Sequence, residues 1–190
     1  MDDLTLWHVP QSRSLRVLWL LEEIGCPYTL VALDHRGLHD ALHPDRVPAL
    51  RDGKTTIHET GAMTEWLCET RAPHLWRAPG DAGRMAWLDW LHFGETLGQH
   101  VAALDQSRAS QALSVERLEA DRLTQTLALL EDWLHQSDWL LSEFSGVDCQ
   151  VGYSVWAAAH LLGLEGRPAL AAYRDRCTAR PAFRRALATG

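Results

Sequence analysis

His43-Pro44-Asp45-Arg46-Val47-Pro48-Ala49-Leu50, then Arg51-Asp52-Gly53-Lys54-Thr55-Thr56-Ile57, then His58-Glu59-Thr60-Gly61-Ala62, is the stretch around which the rest of the chain arranges itself. Pro48 directly precedes the apolar pair Ala49-Leu50. Proline is tolerated there only as a strand's first residue, at an edge, or as a cis bond that re-aims the chain. Asp52-Gly53 signals a tight two-residue turn, so the flanking runs form a hairpin. Its second strand delivers Glu59 and Thr60 to the start of a helix over residues 62–69. Free backbone N–H groups and the positive end of the helix dipole at such a start favour an anionic ligand, which makes the stretch a carboxylate-binding edge. Thr60 equally suits a plain helix cap.

Working outward, residues 4–7 alternate as a short strand. Residues 15–24 are apolar at helical spacing, with Gly25 at the C-cap position and Pro27 beyond it. Residues 28–33 read as the next strand. Strand, helix and strand in so few residues make a βαβ unit with parallel strands and a right-handed crossover. The hairpin and the following helix complete βαβ–ββα, the thioredoxin-like arrangement, over residues 1–71.

Residues 72–80 are rich in proline and glycine and read as a linker. From 81 to 190 the pattern is helical only. Residues 81–104 carry Met85, Leu88, Leu91, Leu97, Val101 and Leu104, and residues 114–135 carry Leu118, Leu123, Leu127, Leu130 and Leu134, stripes that imply bundle core. Shorter helices follow over 148–162, 168–177 and 181–188, two of them with proline in the first turn. The fold class is therefore α/β plus all-α.

Composition narrows the function. Hydrophobic residues make up 46% and charged residues 23%, so a packed core is expected rather than disorder. The net charge of −7 with scattered Lys and Arg argues against nucleic acid or an anionic membrane as partner. The acidic Met1-Asp2-Asp3 start has no signal-like core, and no apolar run approaches spanning length, so a soluble cytoplasmic protein is expected. Cys26, Cys68, Cys149 and Cys177 are far apart and signal neither a disulfide framework nor a zinc site. His35, His39 and His43 have i, i+4, i+8 spacing, but Gly37 and Pro44 weaken that helix and no carboxylate completes a metal site. His58-Glu59 opens a zinc-protease motif whose second histidine is replaced by Ala62.

The order of these motifs resembles the cytosolic glutathione transferase family over nearly the whole chain. Ser12-Arg13-Ser14-Leu15-Arg16-Val17-Leu18-Trp19-Leu20-Leu21-Glu22-Glu23 looks like the first-helix signature of bacterial and fungal members. Val47-Pro48-Ala49-Leu50 is similar to the cis-proline motif, and Glu59-Thr60-Gly61-Ala62 to the Glu-Ser-x-Ala motif. Trp90-Leu91-His92-Phe93 looks like part of the family's fourth helix, and Phe144-Ser145-Gly146-Val147-Asp148 like its capping box. Three departures stand out, the mildest being Thr60 where the family has serine, which keeps the hydroxyl. Pro44-Asp45-Arg46-Val47 is one residue shorter than the family's spacing and lacks its glycine, and the second helix, between Leu33 and His43, is abbreviated.

The resemblance implies glutathione as co-substrate, with Val47, Pro48, Glu59 and Thr60 holding the tripeptide and Arg46 and His43 near its glycine end. It implies transfer of the glutathione thiolate to a small hydrophobic electrophile, or thiol-dependent reduction of peroxides or disulfides. A non-catalytic binding or regulatory protein is the alternative, and the resemblance implies a homodimer. A free thiol titrates near pH ~8.5 and must be ionised to react. Ser12, between the first strand and first helix, sits where theta-class relatives place their catalytic serine. Ser14 and Arg13 are alternatives, beta-class relatives having a cysteine at what aligns as Arg13. Ser12 also suits a simple N-cap.

Tyr28 follows the first helix and so does not fit a tyrosine-type enzyme. Cys26-Pro27-Tyr28, a glutaredoxin-like fragment on the wrong side of the helix, leaves Cys26 as a buried, inert thiol. By alignment with beta-class relatives, Leu97-Gly98-Gln99-His100 faces the thiol. Gly98 inside a helix then signals close approach by ligand or neighbouring backbone, with Gln99 and His100 orienting the electrophile. The same three residues also fit a helix contact and a solvated face.

Overall fold

The computed structural model describes residues 4–33 and 46–189. Four strands, β1 (Leu4–His8), β2 (Thr29–Ala32), β3 (Ala49–Asp52) and β4 (Thr55–Ile57), form one sheet in the order β2-β1-β3-β4. β1 pairs parallel with β2, Leu6 opposite Leu30, and antiparallel with β3, Leu6 opposite Leu50. β3 pairs antiparallel with β4. This is the thioredoxin-like arrangement. Helix α1 (Leu15–Ile24) is the crossover between β1 and β2, and it ends at Gly25 with φ 70, a left-handed conformation that glycine takes without a Cβ penalty. The Val47–Pro48 peptide bond is cis and leads directly into β3.

Two local expectations shift. Asp52 pairs with Thr55, so the hairpin turn is Gly53-Lys54 rather than Asp52-Gly53, and Gly53 supplies the positive φ. Helix α2 (Thr60–Arg71) starts two residues before Ala62, because Glu59 has the extended backbone of an N-cap and Thr60 is the first helical residue. Thr60 is therefore not the cap.

Helices alone follow, after a single 3₁₀ turn (Pro73–Leu75) that buries Leu75 inside the proline-rich stretch. They are α3 (Arg84–Ala109), α4 (Leu113–Leu134), α5 (Gly146–Leu162), α6 (Pro168–Ala179) and α7 (Pro181–Ala188). One core cluster runs through both parts, from Leu6 and Leu50 through Trp19 and Leu67 to Leu123, Val151 and Phe183. The stripes of α3 and α4 bury Leu91, Leu97, Leu104, Leu123, Leu127, Leu130 and Leu134, whereas Met85 is 81% exposed and Leu118 is 48% exposed. Periodicity identified the face of each helix but overran the part that neighbours cover.

α1 is held between the sheet and the helices that follow. On its C-terminal half, Glu23 accepts both Nε (2.6 Å) and Nη2 (2.8 Å) of Arg180 together with Trp19 Nε1, while Glu22 accepts Arg185 and the Tyr28 hydroxyl. The forked arginine pair is the geometrically specific kind of ion pair. It ties the start of α7 to α1, whose other end carries the candidate site. The Tyr28 hydroxyl is thus occupied at the end of α1 remote from Ser12. Cys26 is half-buried rather than buried, and Cys68, Cys149 and Cys177 are buried thiols.

Candidate functional site

A cavity of about 210 Å³ opens where the chain enters β3, the N-terminus of α2 and the middle of α3 converge. Arg13, Arg46, Val47, Pro48, His58, Glu59, Thr60 and Glu95 line it. Five of the residues singled out from sequence, Val47, Pro48, Glu59, Thr60 and Arg46, are thus brought together, with Arg13 facing them from the β1–α1 loop. His43 lies outside the described residues, as do His35, His39 and the segment read as an abbreviated second helix.

At the mouth, Arg46 Nη1 donates to Glu59 Oε1 at 3.1 Å. Both side chains are well exposed, so the pair is weak and easily exchanged for a ligand's charges. Deeper in, Thr60 is buried, its hydroxyl donating a hydrogen bond to Glu95 Oε1. The same oxygen of Glu95 accepts Nη1 of Arg16 at 2.8 Å. The Thr60 carbonyl accepts Gln150 Nε2 of α5 at 2.9 Å, which fixes the first turn of α2 against α5.

Arg16, on α1, is completely buried. Nη2 donates to the Gly94 carbonyl (3.0 Å) and to Ser154 Oγ (2.7 Å), and the guanidinium carbon lies 5.7 Å from the Tyr153 ring centroid. Burial pulls its pKa down and the Glu95 carboxylate pulls it back up, so the cation is held by its counter-charge. The glycine within α3 has its explanation here. A Cβ on Gly98 would stand 1.9 Å from Arg16 Nη2, so the close approach is made by an arginine side chain rather than by ligand or backbone. Arg16, Glu95 and Ser154 were not anticipated as site residues, and the gap at Gly98 was the one sign of them in the sequence.

Ser12, Arg13 and Ser14 are placed differently from one another. Arg13 is exposed at the cavity, Ser12 is half-buried, and Ser14 is completely buried at the N-cap position of α1. Ser12 Oγ donates to the Val9 carbonyl at 2.7 Å and is 2.7 Å from Ser14 Oγ, which is itself 2.7 Å from His8 Nδ1. On α3, Gln99 is exposed one turn beyond Glu95 and on the same face. His100 is turned to α4, where its Nδ1 is 2.8 Å from Glu119 Oε2.

The site therefore offers two cations and two carboxylates around a helix N-terminus, a constellation for a ligand carrying charges of both signs. Residues 2–69 match the family model described as glutathione S-transferase, N-terminal domain. The chain is 28% identical over 199 aligned residues to the probable glutathione S-transferase GSTF2 of Oryza sativa subsp. japonica, covering 87% of this chain and 86% of that protein. It is also 28% identical over 99 residues to glutathione S-transferase 3 of Schizosaccharomyces pombe, a match spanning 48% of this chain and 41% of the yeast protein. Among solved structures, a theta class glutathione S-transferase from Xanthomonas axonopodis pv. citri with glutathione bound is similar with a TM-score of 0.87. It is 25% identical, and the match covers 100% of this chain and 99% of that one.

Proposed function

We propose that this chain, whose residues 2–69 match the N-terminal glutathione S-transferase family model, is a glutathione transferase that binds glutathione in the cavity beside cis-Pro48 and transfers the thiolate to small hydrophobic electrophiles. The observation that carries the reading is the charge arrangement. Glutathione at neutral pH has two carboxylates and one ammonium, and the cavity sets Arg13 and Arg46 beside Glu59 and Glu95. In this reading Glu59 receives the ammonium, while backbone N–H groups at the N-terminus of α2, that of Thr60 included, receive the adjacent carboxylate. The backbone of Val47 pairs with the extended tripeptide, and Arg46 and His43 meet its far carboxylate. Ser12 donates to the sulfur, lowering the thiol's pKa by favouring the anion. Gln99, on the Glu95 face of α3, flanks the electrophile, while His100, turned to Glu119 of α4, takes no part in this reading.

Kinetics with an aryl halide test the binding half of this reading. Glu59→Ala is expected to raise KM for glutathione about tenfold, the value of one charge-assisted hydrogen bond, with kcat unchanged. Wild-type protein that neither turns over nor is retained on immobilised glutathione would overturn the proposal. A second reading, a glutathione-binding protein without turnover, is favoured by the Ser12 hydroxyl resting 2.7 Å from the Val9 carbonyl. Retention without turnover on aryl halides and hydroperoxides would select it.

We place the protein in the cytoplasm as a homodimer. No helix among the described residues is long and apolar enough to cross a membrane. Trp66, Met85, Leu129 and Trp133 expose apolar surface that a partner protomer would cover. Sedimentation at micromolar concentration should give a dimer, and a monomer alone would contradict this assignment.

A further inference from the structure

Beneath the β1–α1 loop, His8, Val9, Ser12 and Ser14 form a closed polar group. His8 and Ser14 are completely buried. Three contacts in it are equally short: Ser12 Oγ to the Val9 carbonyl, Ser12 Oγ to Ser14 Oγ, and Ser14 Oγ to His8 Nδ1, each 2.7 Å. A separation of that length between two such atoms calls for a proton between them. The two hydroxyls supply only two protons, so the third must come from His8. The three contacts fill together in one order only: His8 Nδ1–H to Ser14, Ser14 O–H to Ser12, and Ser12 O–H to the Val9 carbonyl. The longer approach of Ser14 Oγ to the same carbonyl, 3.0 Å, then carries no proton.

Two further observations agree with this order. His8 Nε2 is buried and has no partner among the described residues, which suits a bare lone pair better than a buried N–H. Burial also pulls the His8 pKa down, so the ring is neutral and carries a single N–H. Backbone N–H groups support both hydroxyls as acceptors, Ser14 N to Ser12 Oγ and Val9 N to Ser14 Oγ, each at 3.2 Å.

We propose that His8 is a positioning residue for Ser12: through Ser14 it sets a one-way hydrogen-bond chain that makes the Ser12 hydroxyl a pre-directed and strengthened donor for the glutathione thiolate. The inference rests on the proposed role of Ser12. A hydroxyl that accepts one hydrogen bond donates a better one, since each bond in a chain polarises the next. When the sulfur arrives, Ser12 turns its proton from the Val9 carbonyl to the thiolate while still accepting from Ser14. The thiol's own proton leaves to solvent, and each proton of the chain stays on its own atom.

The test is the thiolate absorbance of bound glutathione followed against pH in wild type, Ser12→Ala, His8→Phe, His8→Asn and the Ser12→Ala/His8→Phe double variant. His8→Phe should raise the bound thiol's pKa by about half a unit, with glutathione affinity unchanged. His8→Asn, whose side-chain N–H stands near the position of Nδ1–H, should restore it, and His8→Phe should add nothing in the Ser12→Ala background. A shift in Ser12→Ala with none in His8→Phe overturns the chain and leaves the role of Ser12 intact. No shift in Ser12→Ala overturns both. Independently of ligand and of the variants' folding, ¹⁵N NMR of the wild-type imidazole should show Nδ1 protonated and Nε2 bare. A proton on Nε2 would overturn the proposal.

Discussion

Arg16→Met is expected to lower the free energy of unfolding by about 3 kcal/mol, the result of stranding buried acceptors at about 1–3 kcal/mol each. Methionine keeps most of the aliphatic volume, so the loss is that of the guanidinium. The Gly94 carbonyl and Ser154 Oγ lose their donor, and Glu95 loses its counter-charge. Arg16→Lys should recover little. A lysine has one nitrogen, whereas Nη1 and Nη2 reach acceptors on α2, α3 and α5 from one planar group. The effect should extend to binding, because Thr60 is held in the cavity wall by Arg16 and Glu95 together. Urea denaturation gives the stability change, and calorimetric titration with glutathione gives the accompanying rise in Kd. Glu95→Gln should be no milder in stability, since it keeps an acceptor oxygen but leaves the completely buried Arg16 cation without its counter-charge. A stable Arg16→Met variant with wild-type affinity would remove this residue from the account.

Asp148→Ala should be comparably damaging at the other side of the helical region. The Asp148 carboxylate is completely buried and accepts four donors: Leu140 N (3.2 Å), Ser145 N (2.8 Å), Ser145 Oγ (3.3 Å) and the Tyr173 hydroxyl (3.0 Å). Alanine strands two backbone N–H groups and a phenol where water does not reach. At about 1–3 kcal/mol for each unsatisfied group, a loss of about 4 kcal/mol is expected, a large fraction of an ordinary domain's stability. Ser145→Ala, which removes one cap of the same box, should cost about 1 kcal/mol. Burial pushes the Asp148 carboxyl up to about 6, more than its donors pull it down. An unfolded aspartate ionises near ~3.9, so between the two values the folded chain binds more protons and stability falls as pH rises. The wild-type advantage over Asp148→Ala, measured by denaturation, should therefore shrink as pH increases across that window. A constant difference would contradict the assignment.

What was legible in the sequence was what local rules decide. α1 spans the residues its apolar spacing marks, and Gly25 ends it, because amphipathicity and a left-handed cap are properties of neighbouring residues. The hairpin was legible, but its turn was placed one residue early. Asp52 stays in the strand opposite Thr55, and its side chain accepts Trp66 Nε1 and Arg71 Nη2 from α2, partners that turn statistics do not see. Met85 and Leu118 fit helical stripes yet stand exposed, since periodicity says which face is apolar and not how far a neighbour covers it.

The site divides the same way. Glu59 and Thr60 were legible because they sit at a helix start in a continuous motif. Glu95 and Arg16 reach Thr60 only after α1, α2 and α3 have packed, and Gly98 recorded the space for an arginine without saying which one. His8 was unremarkable in sequence, a single polar residue at the end of a buried strand. Its importance comes from Ser14 being turned back under the loop to meet it.

The central claim is that this cavity binds glutathione and ionises its thiol. The most direct measurement is the thiolate absorbance of glutathione with wild-type protein, titrated against pH at saturating protein. The account predicts half-ionisation about one unit or more below the ~8.5 of a free thiol. A thiol that titrates in the presence of protein as it does alone would contradict it.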